Sequence, residues 1–161
     1  MTIQIIKFTL AHQSTILSLS LRAWAPVFTK LQPAVADYVY EAFYPHGWQT
    51  RQSSEIESFL KAEGDKVWVA CDGEAVLGWV GIRLHPEDHM GEIYILAVDP
   101  DHQRRGIGAA LIDHATAQMR HANMKIVMVE TGDDPGHAPS RASYERAGFE
   151  RWPVARYFRK L

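Results

Sequence analysis

The stretch from Met90 to His121 constrains the chain more than any other. Glu92 to Val98 is rich in β-branched and aromatic residues, and Pro100 closes it, so it reads as a strand. From Ile107 the period changes. Ile107, Leu111, Ala115 and Met119 recur at every fourth position, with Ala110 and Ala117 beside them, which predicts a helix with one apolar face. Between strand and helix lie Gln103, Arg104, Arg105, Gly106 and Gly108. Glycines at a helix start let the backbone come close to a ligand. The free N–H groups there, with the helix dipole, suit a phosphate.

The rest of the chain supplies partners for this unit. Thr2 to Phe8 alternates as a first strand, and Leu10 to Trp24 has helical spacing. Pro26 breaks that helix or begins another turn, and Pro33 starts a second helix through Phe43. Ser53 or Ser54 opens a short helix through Lys61. Lys66 to Cys71 and Ala75 to Leu84 read as a hairpin turning on Asp72-Gly73. Lys125 to Glu130 is a further strand, Ser140 to Ala147 a short helix capped by Gly148, and Phe149 to Phe158 one or two last strands. Strands and helices in this order predict a mixed sheet with helices on both faces.

With 161 residues, one domain spanning 1–161 around one core is expected. Hydrophobic residues at 47% and charged residues at 22% suit a folded soluble protein. The net charge of −2 argues against bulk attraction to nucleic acid or to an anionic membrane. Arg141, Arg146, Arg151, Arg156 and Arg159 alternate with apolar residues, which suits a solvated face better than a nucleic-acid stripe. Cys71 alone forbids an internal disulfide and fits the cytoplasm. The N-terminus lacks the pattern of a secretory leader, and no segment has the apolar length of a membrane span. His85 and His89 flank Glu87 and Asp88, but no third ligand follows at useful spacing, so no metal site is expected.

The glycine pattern fails the dinucleotide fingerprint, because Leu111 stands where a third glycine is needed, and no Gly-Lys-Ser/Thr follows for a Walker loop. Gln103-x-x-Gly106-x-Gly108 instead resembles the Q/R-x-x-G-x-G/A signature of the GCN5-related N-acetyltransferases. Tyr144-Glu145-Arg146-Ala147-Gly148-Phe149 resembles that family's Y-E-K-x-G-F segment. The resemblance covers Lys66 to Phe158 well, and the earlier residues only in helix pattern.

The resemblance implies a mostly antiparallel sheet of six to seven strands, acetyl-CoA as acetyl donor, and transfer to a primary amine of a small molecule or peptide by direct attack in a ternary complex. A homodimer is compatible with it. Gln103, Arg104, Arg105, Gly106, Ile107, Gly108 and Ala109 would hold the pyrophosphate, and the backbone of Leu96, Ala97 and Val98 the pantetheine arm. Glu92 matches a family base, although a surface carboxylate and a water-mediated route are open. Counted as a regular strand, Glu92, Tyr94, Leu96 and Val98 share one face. Tyr144 matches a family acid that points at the cofactor sulfur, and otherwise reads as core. Many members have asparagine where this chain has His137, which could donate to the cofactor, move a proton, or merely sit in its loop. The region holding Trp24, Phe28 and Tyr38 walls the acceptor site in the family, and much of it also reads as core packing. A CoA-binding module without turnover is the alternative, against which both Glu92 and Tyr144 are retained.

Overall fold

The computed structural model describes residues 1–161. In chain order the elements are β1 (Gln4–Lys7), α1 (Gln13–Leu31), α2 (Asp37–Phe43), α3 (Trp48–Glu63), β2 (Val67–Asp72), β3 (Ala75–His85), β4 (Met90–Val98), α4 (Ile107–His121), β5 (Ile126–Val129) and α5 (Ala138–Arg146). The sheet runs in the order β1-β2-β3-β4-β5. All neighbours are antiparallel except β4 and β5. That exception follows from α4, which carries the chain from the end of β4 back to the same edge.

Period-2 alternation sorts the strands between two apolar layers. Val67, Val69, Cys71 and Trp79 face α1 and α3, where Ile16, Leu19, Ile56 and Phe59 meet them. Trp68, Ala70, Leu77, Val80, Ile82 and Ile93 face α4 and its Ile107, Leu111, Ala115 and Met119. Strands buried on both sides read as near-continuous apolar runs, as β2 and β3 do. The indole N–H of Trp79, fully buried, donates to Ser20 Oγ at 2.8 Å. This bond ties α1 to the sheet and satisfies both polar groups.

Several expectations are corrected. α1 runs through Pro26 to Leu31, and Pro33 lies in a 3₁₀ turn before the short α2. Asp72 still pairs with Ala75, so the hairpin loop is Gly73-Glu74. The sheet has five strands, not six to seven. The missing ones are those expected after Phe149, where no strand forms. Pro153 has no N–H to give a ladder. Side-chain contacts draw this tail elsewhere: Arg151 to Asp133 at 3.2 Å, Arg156 to Glu130 at 3.4 Å, and Phe158 edge-on to Phe43 of α2.

β4 also departs from regular alternation. Gly81 pairs with Ile95 and Ile82 with Ile93, so Tyr94 is an extra residue, a β-bulge. The bulge resets the faces. Tyr94, Ile95 and Ala97 lie with the α1–α3 layer, whereas Leu96 and Val98 join the α4 layer. Glu92, Tyr94, Leu96 and Val98 therefore do not share a face.

Candidate active site

Pairing between β4 and β5 stops at Ile93 and Val129. Beyond it, β4 continues to Val98 with β3 on one edge and no strand on the other. The gap between the two strands, bordered by the free backbone edge of residues 94–98, is the candidate cleft. It leads towards the turn before α4.

The backbone of that turn has an unusual shape. Arg104 has φ +64°, and Gly106, left-handed at φ +80° and ψ 0°, gives way directly to the right-handed Ile107 at the start of α4. Backbones that change hand in this way make anion-binding concavities. Gly106 caps α4 in a left-handed conformation that a side chain would strain. The first helical bond runs from Ala110 N–H to Gly106 C=O, so the amides of Ile107, Gly108 and Ala109 precede it and have no helical acceptor. A Cβ on Gly108 would meet only Val98 Cγ2, at 3.8 Å. Gln103 donates from Nε2 to Val98 C=O at 3.2 Å, which fixes the turn to the end of β4. Arg104 and Arg105 are exposed beside it.

Asp99 secures the same junction from the other side. Arg22 of α1 donates to both carboxylate oxygens, at 3.1 and 2.7 Å, and Asp101 N–H donates to Oδ1 at 2.9 Å. The guanidinium holds the Asp99 carboxyl below the usual carboxylate range. Pro100 marked the strand exit in the sequence, but the pairing of Asp99 with Arg22, far away in the chain, carried no signal.

Glu92 and Tyr144 lie on opposite faces of the sheet. Glu92 pairs in register with Arg83 and accepts a hydrogen bond from His85, Nε2 to Oε2, at 2.8 Å. Arg83 shares that face: it is tied to Glu63 of α3 at 2.9 Å and lies 3.7 Å from the centre of the Tyr94 ring. A groove of about 350 Å³ runs here, lined by Ser54, Ser58, Glu63, Arg83 and Tyr94 among others. Tyr144 packs in the α4 layer with Leu96 and Val98, edge-on to Phe149. Burial alone pushes its hydroxyl up to about 12.

His137 lies in the turn that leads into α5. Its Nδ1 bonds to Asp134 Oδ1, and Gly136 N–H donates to Asp134 Oδ2. Arg141 donates to the carbonyls of Gly132 and Asp134, both at 2.7 Å. Gly136 lies so close to α1 that a Cβ there would stand 2.4 Å from the Val27 carbonyl oxygen. Loop and helix are thus in backbone contact.

The aromatic residues separate. Trp24 packs in the α1–α3 layer. Phe28 is buried, stacked on Trp48 at 4.5 Å and edge-on to Tyr44 at 5.2 Å. Burial raises the Tyr44 hydroxyl. Tyr38 lies apart, with Phe43 and the C-terminal tail. Sequence reasoning missed Arg83 and read His85 only as a weak metal ligand. Both alternate on β3, and the short connection to β4 is what sets them against Glu92.

Comparison with known proteins follows the same outline. The acetyltransferase (GNAT) family matches residues 35–149. A mycothiol acetyltransferase of Geodermatophilus obscurus is 34% identical over 92 residues, 54% of this chain and 29% of that protein. Another, from Paenarthrobacter aurescens, is 30% identical over 145 residues, 83% of this chain and 43% of that protein. The chain thus spans less than half the length of these relatives. Among solved structures, the PaiA N-acetyltransferase from Thermoplasma acidophilum in complex with coenzyme A has a TM-score of 0.69 at 14% identity, covering 96% of this chain and 94% of that one. A GNAT acetyltransferase from Staphylococcus aureus gives 0.69 at 15%, covering 99% and 94%. These likenesses extend the shared fold over nearly the whole chain, and with the family match across residues 35–149 they show that the chain belongs to the acetyltransferase (GNAT) family.

Proposed function

We propose that this chain transfers the acetyl group of acetyl-CoA to a primary amine of a small molecule or peptide. The observation that carries the reading is the gap where β4 parts from β5, one residue beyond Glu92, together with the unpartnered α4 amides past the end of β4. An extended, amide-bearing pantetheine arm can bond a free strand edge as another strand would. A pyrophosphate suits the amides of Ile107, Gly108 and Ala109, with Arg104 and Arg105 beside them. The open space over Gly108 leaves room for it.

When bound, acetyl-CoA supplies a thioester carbonyl carbon for the amine to attack. Glu92 takes the proton that the amine must lose. An N–H of the 94–98 edge offers a donor to developing negative charge. Tyr144 keeps its proton at any working pH, because burial has pushed it up to about 12. Free thiols ionise near 8.5, so full transfer from this phenol to a thiolate is uphill. Tyr144 therefore serves as a hydrogen-bond donor at the sulfur. His137, held by Asp134, takes the place of the family's asparagine on the α5 side.

Relatives named for mycothiol direct the acceptor search to small molecules first. The test is thiol release from acetyl-CoA with glucosamine, L-cysteine amide, spermidine, kanamycin and a tetrapeptide as acceptors. Amine-dependent release that falls at least about a hundredfold in Glu92→Gln supports the reading. Tight CoA binding with no amine-dependent release overturns it in favour of a binding module.

A further inference from the structure

We propose that His85 is the positioning residue and proton outlet of Glu92. This rests on Glu92 being the base. His85 ends β3, and the turn at Pro86–Asp88 returns the chain so that His85 faces Met90 and lies diagonal to Glu92. Its Nε2 meets Glu92 Oε2 at 2.8 Å, and its Nδ1 lies 3.7 Å from Glu87, on the opposite edge of the ring. The exposures form a gradient: the Glu92 side chain is 17% exposed, His85 31% and Glu87 68%. The imidazole thus bridges a largely covered carboxylate to water.

Two consequences follow. One carboxylate oxygen is fixed by His85, which aims the other at the cleft and removes rotamer freedom that the base would otherwise have to lose at each turnover. The second consequence concerns the proton. Each transfer takes one from the amine onto Glu92. The neutral ring rests with its proton on Nε2, donated to the Glu92 carboxylate. Once Glu92 carries the amine's proton, the ring exchanges through water to the tautomer protonated on Nδ1, accepts the Glu92 proton at Nε2 and releases the Nδ1 proton to water beside Glu87. The amine has lost one proton, solvent has gained one, and Glu92 is again a carboxylate. His85 is again the tautomer protonated on Nε2, donating to the Glu92 carboxylate.

The charges around His85 are Glu92 on β4, Glu87 and Asp88 in the turn, and Arg83 on β3, itself tied to Glu63 of α3. The hydrogen bond to Glu92, then the carboxylate charges, raise its pKa above the ordinary 6.5. Outlet activity needs the neutral ring, so acetyl transfer gains a rising limb above that value.

Nuclear magnetic resonance of the imidazole rings in the full chain tests the contact without any acceptor. His85 should titrate above 6.5 in the wild type and fall back towards 6.5 in Glu92→Gln. Identical titration in both overturns the contact. Kinetics test the role, using whichever of the five amines turns over fastest. His85→Ala should lower kcat about a hundredfold, lose the limb, keep KM for acetyl-CoA, and recover with millimolar imidazole. A merely structural histidine would not be rescued in this way. A wild-type rate and profile in His85→Ala, while Glu92→Gln is impaired, overturns the proposal alone. A wild-type rate in Glu92→Gln overturns the base assignment and this proposal with it.

Discussion

Tyr144 and Gly108 separate function from folding residue by residue. Tyr144 packs its ring in the α4 layer, and none of the chain's side-chain hydrogen bonds uses its hydroxyl. Tyr144→Phe keeps the edge contact with Phe149, and Tm should hold or rise slightly. The rate should fall about ten- to a thousandfold, with the pH profile below 10 unchanged. Paired melts and kinetics decide it: a lower Tm with an unchanged rate per folded molecule would make Tyr144 core only. For Gly108, a Cβ meets only ordinary contact, and the backbone there is helical. Gly108→Val should therefore fold, yet bind CoA at least about tenfold more weakly by calorimetry, because its side chain fills the space over the amides. Unchanged affinity in the folded variant would remove the pyrophosphate from this turn. Both residues were legible in the sequence through their motifs. His85 was not, because its role depends on a strand register that no local pattern prints.

At the scale of elements, the central strand shows where alternation misleads. Tyr94, Ile95 and Leu96 are all apolar, so an extra residue in β4 leaves no mark on the pattern. The strand itself was legible, and its faces were not. The tail shows a second limit. Phe149 to Phe158 has strand-like composition, but Pro153 and the pull of Asp133, Glu130 and Phe43 decide otherwise. The loop before α5 is a third case, since nothing local foretold that Gly136 would touch α1. Gly136→Ala puts a methyl against the Val27 carbonyl, backbone against which nothing can rotate away. The turn carrying His137 must shift. We expect a stability loss of about 1–3 kcal/mol, several degrees in Tm. CoA affinity should weaken as well. Wild-type melting and affinity in Gly136→Ala would show that the loop is not held against the helix.

For the whole molecule, two ion pairs give stability opposite dependences on pH. Asp99 joins α1 to the end of β4, and its folded pKa is lowered by Arg22 first of all. A depressed carboxyl stabilises at all pH values above its unfolded value of about 3.9, and that contribution disappears as pH falls through the folded value. Arg22 is half exposed, so solvent and salt limit the pair to about 1 kcal/mol. His85 works in the other direction. Its folded pKa is raised by Glu92, so its contribution is complete below about 6.5 and is lost as pH rises through the folded value. Urea unfolding of the wild type, Asp99→Asn and His85→Asn from pH 5 to pH 9 should therefore diverge. The deficit of Asp99→Asn should stay flat across that range and shrink with added salt. The deficit of His85→Asn should be largest near pH 5–6 and fade towards pH 9. A His85→Asn deficit that does not change with pH would mean that the ring is packed rather than paired. A deficit that grows with pH would mean that His85 is held neutral, the reverse of the charge state that the Glu92 contact favours.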